Sequence, residues 1–351
     1  MKIVLTGGGT GGHVIPALAL CDTLQKEGYE IHYIGSHDGI EKQLVTNAKL
    51  PYYPISSGKL RRYIDKKNIT DTARVVKGIS DAKKVLKKIK PQVVFSKGGF
   101  VSVPVVIAAR LAGIPVVIHE SDISMGLANK IATKFATKVC VTFKETAPAI
   151  GSKAVVTGTP IRKELFAGDI TKGRELTGFA NNLPVVMVMG GSSGAVAVNN
   201  AIREALPRLM PLFNIVHICG KGNVDNSVTY SNYRQYEFVS KELPHLFALC
   251  DVIVSRAGSN AIQEFVALKK PSLLIPLPLS ASRGDQIHNA NSFKKDGYSM
   301  VLAQEDVNPD SLVKSLRDLH ANKDKFIKKM ASVDANSAVK AIVDVIKTAT
   351  K

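Results

Sequence analysis

The sequence predicts an α/β protein built from two doubly wound parallel-sheet domains, and three observations carry that prediction. Short apolar runs alternate with amphipathic segments of helical length along most of the chain, as in strands joined by crossover helices. Many of the runs are continuous Val, Ile and Leu, which is typical of parallel strands buried on both faces. The length of 351 residues exceeds one ordinary hydrophobic core, so two domains are expected.

The first half opens with a strand at residues 2–6, five glycines within six positions, and a helical pattern that starts at Val14 with Pro16 in its first turn. A strand, a glycine turn and a helix in that order bring backbone N–H groups and the positive end of a helix dipole close to an anionic oxygen. Further strands are expected at 30–35, 52–56, 91–96, 115–119, 138–142 and 153–157.

The pattern restarts near the middle of the chain. A turn at 158–160 and a loop-like stretch at 176–183 precede an apolar run that enters the glycine turn at 190–195. Strands are expected at 184–190, 214–219, 235–238, 251–255, 272–276 and 299–302. We therefore place one domain at 1–160 and a second at 161–335. A final helix at about 336–351 has no strand after it and is expected to pack back on the first domain.

The formal net charge is +18, and half of the excess lies in residues 59–90, which hold 12 basic and 3 acidic side chains. Such a local field attracts phosphate-rich partners: nucleic acid, an anionic membrane surface or a pyrophosphate. A solvated basic helix at about 70–89 is the plainer reading. Nucleic acid is disfavoured, because the chain has no Trp and only 6% aromatic residues to stack on bases.

The four cysteines are far apart and form no paired motif, so we expect core thiols in a reducing compartment and neither disulfides nor a zinc site. No signal peptide is visible. The longest apolar stretch, 101–119, is interrupted by Pro, Arg and Gly and is not expected to span a bilayer. We expect a cytoplasmic protein whose membrane contact is peripheral.

Residues 7–12 match the pattern GxGxxG, so a dinucleotide cofactor has to be weighed. A site for NAD needs an acidic residue at the end of the second strand to hold the ribose, and residues 33–36 there are Tyr-Ile-Gly-Ser. No cofactor is therefore expected.

Six motifs in order resemble the MurG family of bacterial glycosyltransferases (glycosyltransferase family 28), over essentially the whole chain. They are GGGTGGHVIPALAL at 7–20, SKGGFVSVP at 96–104, HESDISMGLANK at 119–130, GTPIR at 158–162, GGSSGA at 190–195, and the pair SRAGSNAIQE at 255–264 and GDQIHNA at 284–290. The resemblance implies the GT-B fold, in which two Rossmann-like domains face each other across a cleft.

The same resemblance implies an inverting transfer of N-acetylglucosamine (GlcNAc) from UDP-GlcNAc to the muramyl 4-hydroxyl of undecaprenyl-pyrophosphoryl-MurNAc-pentapeptide (lipid I). The product, lipid II, is the peptidoglycan precursor used in cell-wall growth, cell shape and division. Proteins of cell-wall synthesis are the protein partners that it implies, at the cytoplasmic face of the membrane.

In the second domain the resemblance implies a site for UDP-GlcNAc. Hydroxyl and guanidinium donors would hold the leaving pyrophosphate. A carboxylate would bind the ribose hydroxyls, a main-chain group would contact the uracil, and a neutral amide would bind the sugar. These are Ser192 and Arg162 for the pyrophosphate, Glu264 for the ribose, Val239 for the uracil, Gln286 for the sugar, and Ser259, Asn260 and Ala261 lining the pocket. The competing roles are an interdomain ion pair for Arg162, a core position for Val239 and a helix cap for Gln286. The chain has no Asp-x-Asp motif, and no metal is expected.

In the first domain the resemblance implies that Thr10, Gly11 and Gly12 approach the donor sugar or the acceptor pyrophosphate. His13 is the leading candidate for the general base, since the pKa of histidine lies near working pH; a structural or substrate-orienting hydrogen bond is its other role. Glu120 or His119 are the alternative bases. The acceptor-side turn is Gly98, Gly99 and Phe100.

Two departures from the family pattern concern the donor. Some members have His-Glu-Gln-Asn where this chain has residues 119–122, so the sugar-contacting amide is replaced by Asp122. Ser193 stands where Gln is common.

Membrane binding is assigned to basic residues of the charged span, namely Lys59, Arg61, Arg62, Lys84 and Lys88. On the predicted helix, Ile69, Ala73, Val76 and Ile79 form an apolar stripe that is expected mostly to face the core.

Three rival functions stay open at this point. One is a UDP-hexose:diacylglycerol glycosyltransferase of the same fold, and another is a UDP-GlcNAc 2-epimerase. The third, from a different class, is a basic nucleic-acid-binding protein.

Overall fold

The structure is a computed structural model that describes residues 1–58, 67–191, 194–334 and 337–350, with the backbone alone for 67–70. Its contacts divide the chain into two compact units, one of Met1–Arg162 with Asn336–Lys351 and one of Lys163–Ala335. We refer to them as the first and the second unit.

The first unit contains a seven-stranded parallel sheet in the order β3-β2-β1-β4-β5-β6-β7. Its strands are β1 (Lys2–Thr6), β2 (Glu30–Ser36), β3 (Tyr52–Ile55), β4 (Val93–Ser96), β5 (Val116–Glu120), β6 (Lys138–Val141) and β7 (Ala154–Val156). The helices between them are α1 (Gly11–Leu18), α2 (Cys21–Lys26), α3 (Ile40–Asn47), α4 (Lys67–Ile89), α5 (Ser102–Leu111) and α6 (Leu127–Thr133).

The second unit contains a six-stranded parallel sheet in the order β10-β9-β8-β11-β12-β13. Its strands are β8 (Val185–Met189), β9 (Asn214–Ile218), β10 (Tyr233–Tyr236), β11 (Val252–Ser255), β12 (Ser272–Leu274) and β13 (Ser299–Val301). Its helices are α7 (Ile170–Thr177), α8 (Val196–Leu209), α9 (Leu243–Leu249), α10 (Ser259–Ala267), α11 (Asp285–Asp296), α12 (Pro309–Ala321) and α13 (Lys323–Met330).

Both sheets are covered on both faces, which explains the continuous apolar runs. In β1, Ile3 and Leu5 pack toward α1, α2 and the last helix, α14 (Ser337–Ala349), whereas Val4 packs toward α4 and α5. Helix α14 contributes Ile342 and Ile346, both fully buried, to the core of the first unit. The predicted fold class, two parallel Rossmann-like sheets, is confirmed.

Within the described residues, all thirteen predicted strands are present, with ends displaced by at most two residues. Two helix boundaries differ. Helix α1 begins at Gly11 and not at Val14, so that Pro16 lies inside it, because packing of its apolar face outweighs the low helix propensity of glycine. Helix α7 extends to Thr177, inside the stretch read as a loop.

The order of each sheet reverses direction at one place, between β1 and β4 in the first unit and between β8 and β11 in the second. Loops that leave the carboxyl ends of such a pair diverge, and they open the crevice where doubly wound sheets bind ligands. The glycine turn at 7–12 follows β1 and residues 97–99 follow β4, while Gly190 and Gly191 follow β8 and residues 256–258 follow β11.

Candidate active site

The first glycine turn leaves no room for side chains. A Cβ on Gly7 would lie 2.5 Å from the carbonyl oxygen of His13, and one on Gly9, whose φ is +85°, would lie 2.7 Å from the Phe100 ring. Helix α1 follows at once, with Thr10 as its extended N-cap residue. The turn therefore presents the first N–H groups of α1 at the sheet edge.

A buried carboxylate that the sequence analysis missed organises this turn. The Glu41 carboxylate, fully buried at the start of α3, accepts hydrogen bonds from the Gly9 N–H (3.1 Å), the Ser36 N–H (3.1 Å) and the Ser36 hydroxyl. A Cβ on Gly8 would lie 2.6 Å from its carboxyl carbon. The acid expected of a dinucleotide site is absent from the end of β2, and this nearby acid is committed to the turn itself.

Another glycine turn in the first unit, formed by Gly98 and Gly99 after β4, packs directly against the first; we call it the second glycine turn. Gly98 and Gly99 have φ values of +97° and +83°, and the Gly98 carbonyl accepts a hydrogen bond from the Gly8 N–H (3.3 Å). A Cβ on Gly99 would lie 2.2 Å from the Gly8 carbonyl oxygen. The glycines therefore allow two backbone turns to touch, and the Phe100 ring covers Gly9.

His13 lies in the first turns of α1, beside the second glycine turn. Burial, together with the positive charge of Lys97, lowers its pKa to about 4, although a hydrogen bond to the Lys97 backbone and the Glu41 carboxylate act in the opposite direction. The imidazole is therefore neutral at pH 7 and can accept a hydrogen bond. Its pKa is not near working pH, which corrects the reasoning that suggested it as a base.

Glu120 ends β5 and its carboxylate is already saturated with donors. Oε1 accepts from the Asp122 N–H (3.0 Å), and Oε2 accepts from the Gly126 N–H (3.2 Å) and from Asn129 Nδ2 (3.0 Å). Only 4% of Glu120 is exposed, and burial and Asp122 raise its pKa. These contacts favour a role in shaping the loop after β5 over a role as proton acceptor.

His119, the other alternative base, is fully buried, and its Nε2 lies 2.8 Å from the Gly158 carbonyl oxygen. Burial and the charge of Lys97 hold its pKa well below the usual range. It joins β5 to the turn after β7 and does not reach the surface of the sheet edge. Asp122, in contrast, is partly exposed there.

Lys97 is a second residue that the sequence analysis left unassigned, although it lies inside the SKGGF motif. It follows β4, has only 1% of its surface exposed, and its ammonium donates to the Ser121 hydroxyl. Burial lowers its pKa to about 8, and Glu120 and Asp122 oppose that shift. The sequence signal that could have identified Lys97 as a buried residue of the site is its position directly between an apolar strand and two glycines.

In the second unit, the motif after β11 forms the first turns of α10. Gly258 is the N-cap residue, Ser259 is buried, Asn260 and Ala261 are partly buried, and Glu264 is partly buried one and a half turns into the helix. Three of the predicted pocket residues therefore surround one helix N-terminus, which favours anions.

Arg256 was also missed, although it is the second residue of this motif. It is 8% exposed, and its guanidinium donates to the carbonyls of Ile275 (3.1 Å) and Pro276 (3.3 Å) and to Gln304 Oε1 (2.6 Å). Burial lowers its pKa. It binds the segment that follows β12 to the end of β11.

Gln286 lies in the first turn of α11, and its Oε1 accepts from the Leu277 N–H (3.1 Å). Its oxygen is thus used to hold the segment before α11 and does not cap the helix, whose N-cap residue is Gly284. Its Nε2 is the group that can donate to a ligand. The strand expected at 235–238 is observed at Tyr233–Tyr236, so Val239 lies three residues beyond its end. It is 8% exposed, whereas Phe238 is 69% exposed.

Of the remaining predicted residues, only Arg162, Lys84 and Lys88 lie within the described residues. Arg162 is the last residue of the Met1–Arg162 segment and is partly buried. Four predicted residues lie outside the described residues: Ser192 of the donor site, and Lys59, Arg61 and Arg62 of the membrane group. On either side of the segment that contains Ser192, Gly191 and Gly194 have φ values of +86° and +74°.

The expected apolar stripe of α4 is wrong in part. Val76 is 63% exposed and Ala73 is exposed, whereas the buried face is formed by Val75, Ala82, Leu86 and Ile89. Ala82, Leu86 and Ile89 pack in one cluster with residues of α5 and of the sheet, and this packing sets the buried face. The side chain of Ile69 lies outside the described residues. Lys84 and Lys88 are exposed on the opposite side.

No helix in the part of the chain that the structure describes is both long enough and apolar enough to cross a membrane. Among those same residues, no group of three or more His, Cys, Asp or Glu side chains is arranged to hold a metal ion. All four cysteines are buried and free, as expected.

Comparisons with known proteins agree with this architecture. Residues 3–141 match the glycosyltransferase family 28 N-terminal domain, and residues 185–346 match the C-terminal domain of that family. The chain belongs to glycosyltransferase family 28 and is a glycosyltransferase.

Two relatives are named UDP-N-acetylglucosamine--N-acetylmuramyl-(pentapeptide) pyrophosphoryl-undecaprenol N-acetylglucosamine transferase. The protein of Clostridium perfringens is 52% identical over 99% of this chain and 98% of its own, and that of Lachnospira eligens is 53% identical over 100% and 99%. The crystal structure of Acinetobacter baumannii MurG superimposes with a TM-score of 0.77 at 27% identity, over 99% of both chains. A Neisseria meningitidis UDP-GlcNAc 2-epimerase has a TM-score of 0.71 at 17% identity, covering 99% of this chain and 100% of its own, and shares the fold alone.

Proposed function

We propose that this glycosyltransferase moves GlcNAc from UDP-GlcNAc to N-acetylmuramyl-(pentapeptide) pyrophosphoryl-undecaprenol, giving lipid II for peptidoglycan synthesis. The observation that carries the proposal is the identity of 52% or more, over nearly the full length, to relatives named for this reaction. The rival functions have no comparable support, because the epimerase shares only the fold.

The donor is assigned mainly to the second unit, although Arg162 and Asp122 belong to the Met1–Arg162 segment of the first. Uridine diphosphate leaves with negative charge, and the N-terminus of α10 together with the glycine turn after β8 supplies N–H donors at the carboxyl ends of adjacent strands. Arg162 and Ser192 are assigned to the pyrophosphate, Glu264 to the ribose, Val239 to the uracil, and the Gln286 amide nitrogen and Asp122 to the sugar.

The acceptor is assigned to the first unit. The neutral His13 imidazole accepts a hydrogen bond from the muramyl hydroxyl and takes its proton as that oxygen bonds to the anomeric carbon and the bond to UDP breaks. Its low pKa makes it a weak base, so proton transfer belongs late in the step, when the hydroxyl has become acidic. One displacement inverts the anomeric configuration.

The test is transfer of radiolabelled GlcNAc from UDP-GlcNAc to a short-chain lipid I analogue in the presence of EDTA. A labelled disaccharide lipid formed without metal is expected. Binding of UDP-GlcNAc with no transfer to the analogue would contradict the proposed acceptor and favour a diacylglycerol acceptor or epimerisation, each measurable with the same labelled donor.

A matched pair of variants tests the donor site. Glu264→Gln removes the carboxylate assigned to the ribose, and a lost hydrogen bond to a charged group is worth about 1.5–3 kcal/mol. The KM for UDP-GlcNAc is expected to rise roughly tenfold or more. Glu305→Gln, on an exposed acid of the same unit, is expected to leave it unchanged; an equal KM for both variants would remove Glu264 from the site.

Peripheral binding to the cytoplasmic membrane face is part of the proposal and is supported by the exposed lysines of α4. Reversing Lys84 and Lys88 to Glu is expected to weaken sedimentation with phosphatidylglycerol vesicles roughly tenfold or more, since each near-surface charge contributes about 1 kcal/mol. Reversing the exposed Lys328 and Lys329 of α13 makes the same charge change on the other unit. Equal losses in both double variants would argue against α4 as the docking surface.

A further inference from the structure

Lys97 occupies the centre of the first sheet's reversal point. It follows β4 directly, its N–H donates to the Thr6 carbonyl of β1 (2.9 Å), and its ammonium donates to the Ser121 hydroxyl just beyond β5. The backbone and the side chain of Lys97 together therefore link three neighbouring strands, and the residue is 1% exposed. A lysine buried to this extent costs stability unless nearby groups compensate its charge.

The compensating carboxylates come from the β5 end, where Glu120 and Asp122 both interact with the Lys97 charge. Glu120 is held by three hydrogen-bond donors, and Asp122 lies at the partly exposed edge of the same loop.

The same ammonium acts on two imidazoles. It disfavours the protonated forms of His13, at the start of α1, and of His119, in β5. From the other side, the Glu41 carboxylate of α3 favours protonation of His13. The charge state of His13 is thus set by burial and by two opposing charges, one after β4 and one on α3.

We propose that Lys97 is a positioning residue for the transfer reaction, which holds the 121–122 segment through the Ser121 hydroxyl and adds to the effect of burial in disfavouring protonation of the His13 imidazole. The part that concerns catalysis rests on the proposed function of His13. The electrostatic part does not, because it can be measured on the protein without substrate.

The first test is a titration of His13 by NMR in the full chain with isotope-labelled histidine, the His13 signal being assigned by its loss in His13→Gln. In Lys97→Met the pKa of His13 is expected to rise by about half a unit or more, because the repelling charge is gone. Lys130→Met removes an equal charge from an exposed position of α6 and is expected to change nothing. An unaltered His13 titration in Lys97→Met overturns the proposal.

The second test uses the double variant Lys97→Met with Asp122→Asn, which removes both members of the charge pair. Lys97→Met alone removes a cation that interacts with Asp122 and is expected to lower the melting temperature. The double variant is expected to recover part of that loss. The shifted His13 titration is expected to persist in the double variant, because the lysine is the charge that acts on His13. A double variant no more stable than the single one would contradict the pairing.

The third test is the pH dependence of kcat/KM for GlcNAc transfer. In Lys97→Met the acid limb is expected to move to higher pH in step with the NMR titration, whereas a residue of purely structural importance would lower the rate at all pH values alike. If the wild-type protein transfers no GlcNAc to the lipid analogue, the proposed function fails, while the NMR titration still decides the electrostatic role.

Discussion

Replacing Glu41 by Gln tests whether a buried carboxylate holds the first glycine turn in place. In the native protein Oε2 accepts from the Gly9 N–H and Oε1 accepts from both Ser36 donors. The amide oxygen of Gln can keep the Ser36 contacts, but its NH2 group then faces the Gly9 N–H. Two hydrogen-bond donors, the Gln NH2 group and the Gly9 N–H, then face each other in place of the hydrogen bond to the carboxylate.

The expected cost follows from those contacts. Losing one hydrogen bond to a charged group costs about 1.5–3 kcal/mol, and weakening the other two adds to that figure. We expect the opening free energy of the turn to fall by about 3 kcal/mol, which corresponds to amide exchange roughly a hundredfold faster. Because His13 follows this turn, kcat/KM for transfer should fall with it.

The assay is hydrogen exchange read by mass spectrometry on a peptide covering residues 7–13, with the rest of the first unit as internal reference. Glu145→Gln neutralises an exposed acid of the same unit and serves as the control. Exchange at the native rate in Glu41→Gln would refute the reasoning, because the turn would then be held by its glycines alone.

Three further predictions concern the backbone, the pH dependence and the core. Gly99→Ala should lose more than tenfold in kcat/KM, since its Cβ would lie 2.2 Å from a carbonyl oxygen of the first turn, while Gly113→Ala carries only the positive-φ strain of about 1–2 kcal/mol and should stay active. Burial and a nearby arginine lower the pKa of His217 to about 3, so the unfolded chain binds the extra proton below pH 6.5 and stability falls on acidification. Urea unfolding should lose about 2 kcal/mol between pH 6.5 and pH 5 from this group, and His217→Gln should show a shallower slope. Ile342→Ala should destabilise the first unit by about 2–5 kcal/mol, and the exposed Lys340→Ala by less than about 0.5 kcal/mol; equal effects would place α14 outside the core.

The strands could be predicted from the sequence because a strand covered on both faces has to be apolar at every position. The helix faces were harder. Val76 and Ile79 lie three residues apart on α4, yet one is exposed and the other is partly buried against α5. A helical pattern predicts that the helix has an apolar face, but packing against the neighbouring helix determines which residues are buried on it.

The candidate site divides in the same way. Glycines, the histidine after them and the helix-opening motifs are visible in the chain as local patterns. Glu41 has no such signal, because an acidic residue in the first turn of a helix is common. It becomes part of the site only because the fold places α3 under the turn after β1. Glu120 was assigned as an alternative base from its position at a strand end, and only the structure shows that three donors already occupy its carboxylate.

By itself, the sequence determined the two parallel sheets, their glycine turns and the family, since these depend on local periodicity and on short motifs. The tertiary structure alone decided how the charges combine: Lys97 reaches the end of β5, Glu41 reaches the turn after β1, and His13 is neutral between them. The physical reason is that burial and charge interactions depend on distance in space, and strand order places side chains together that the chain separates by up to about a hundred positions.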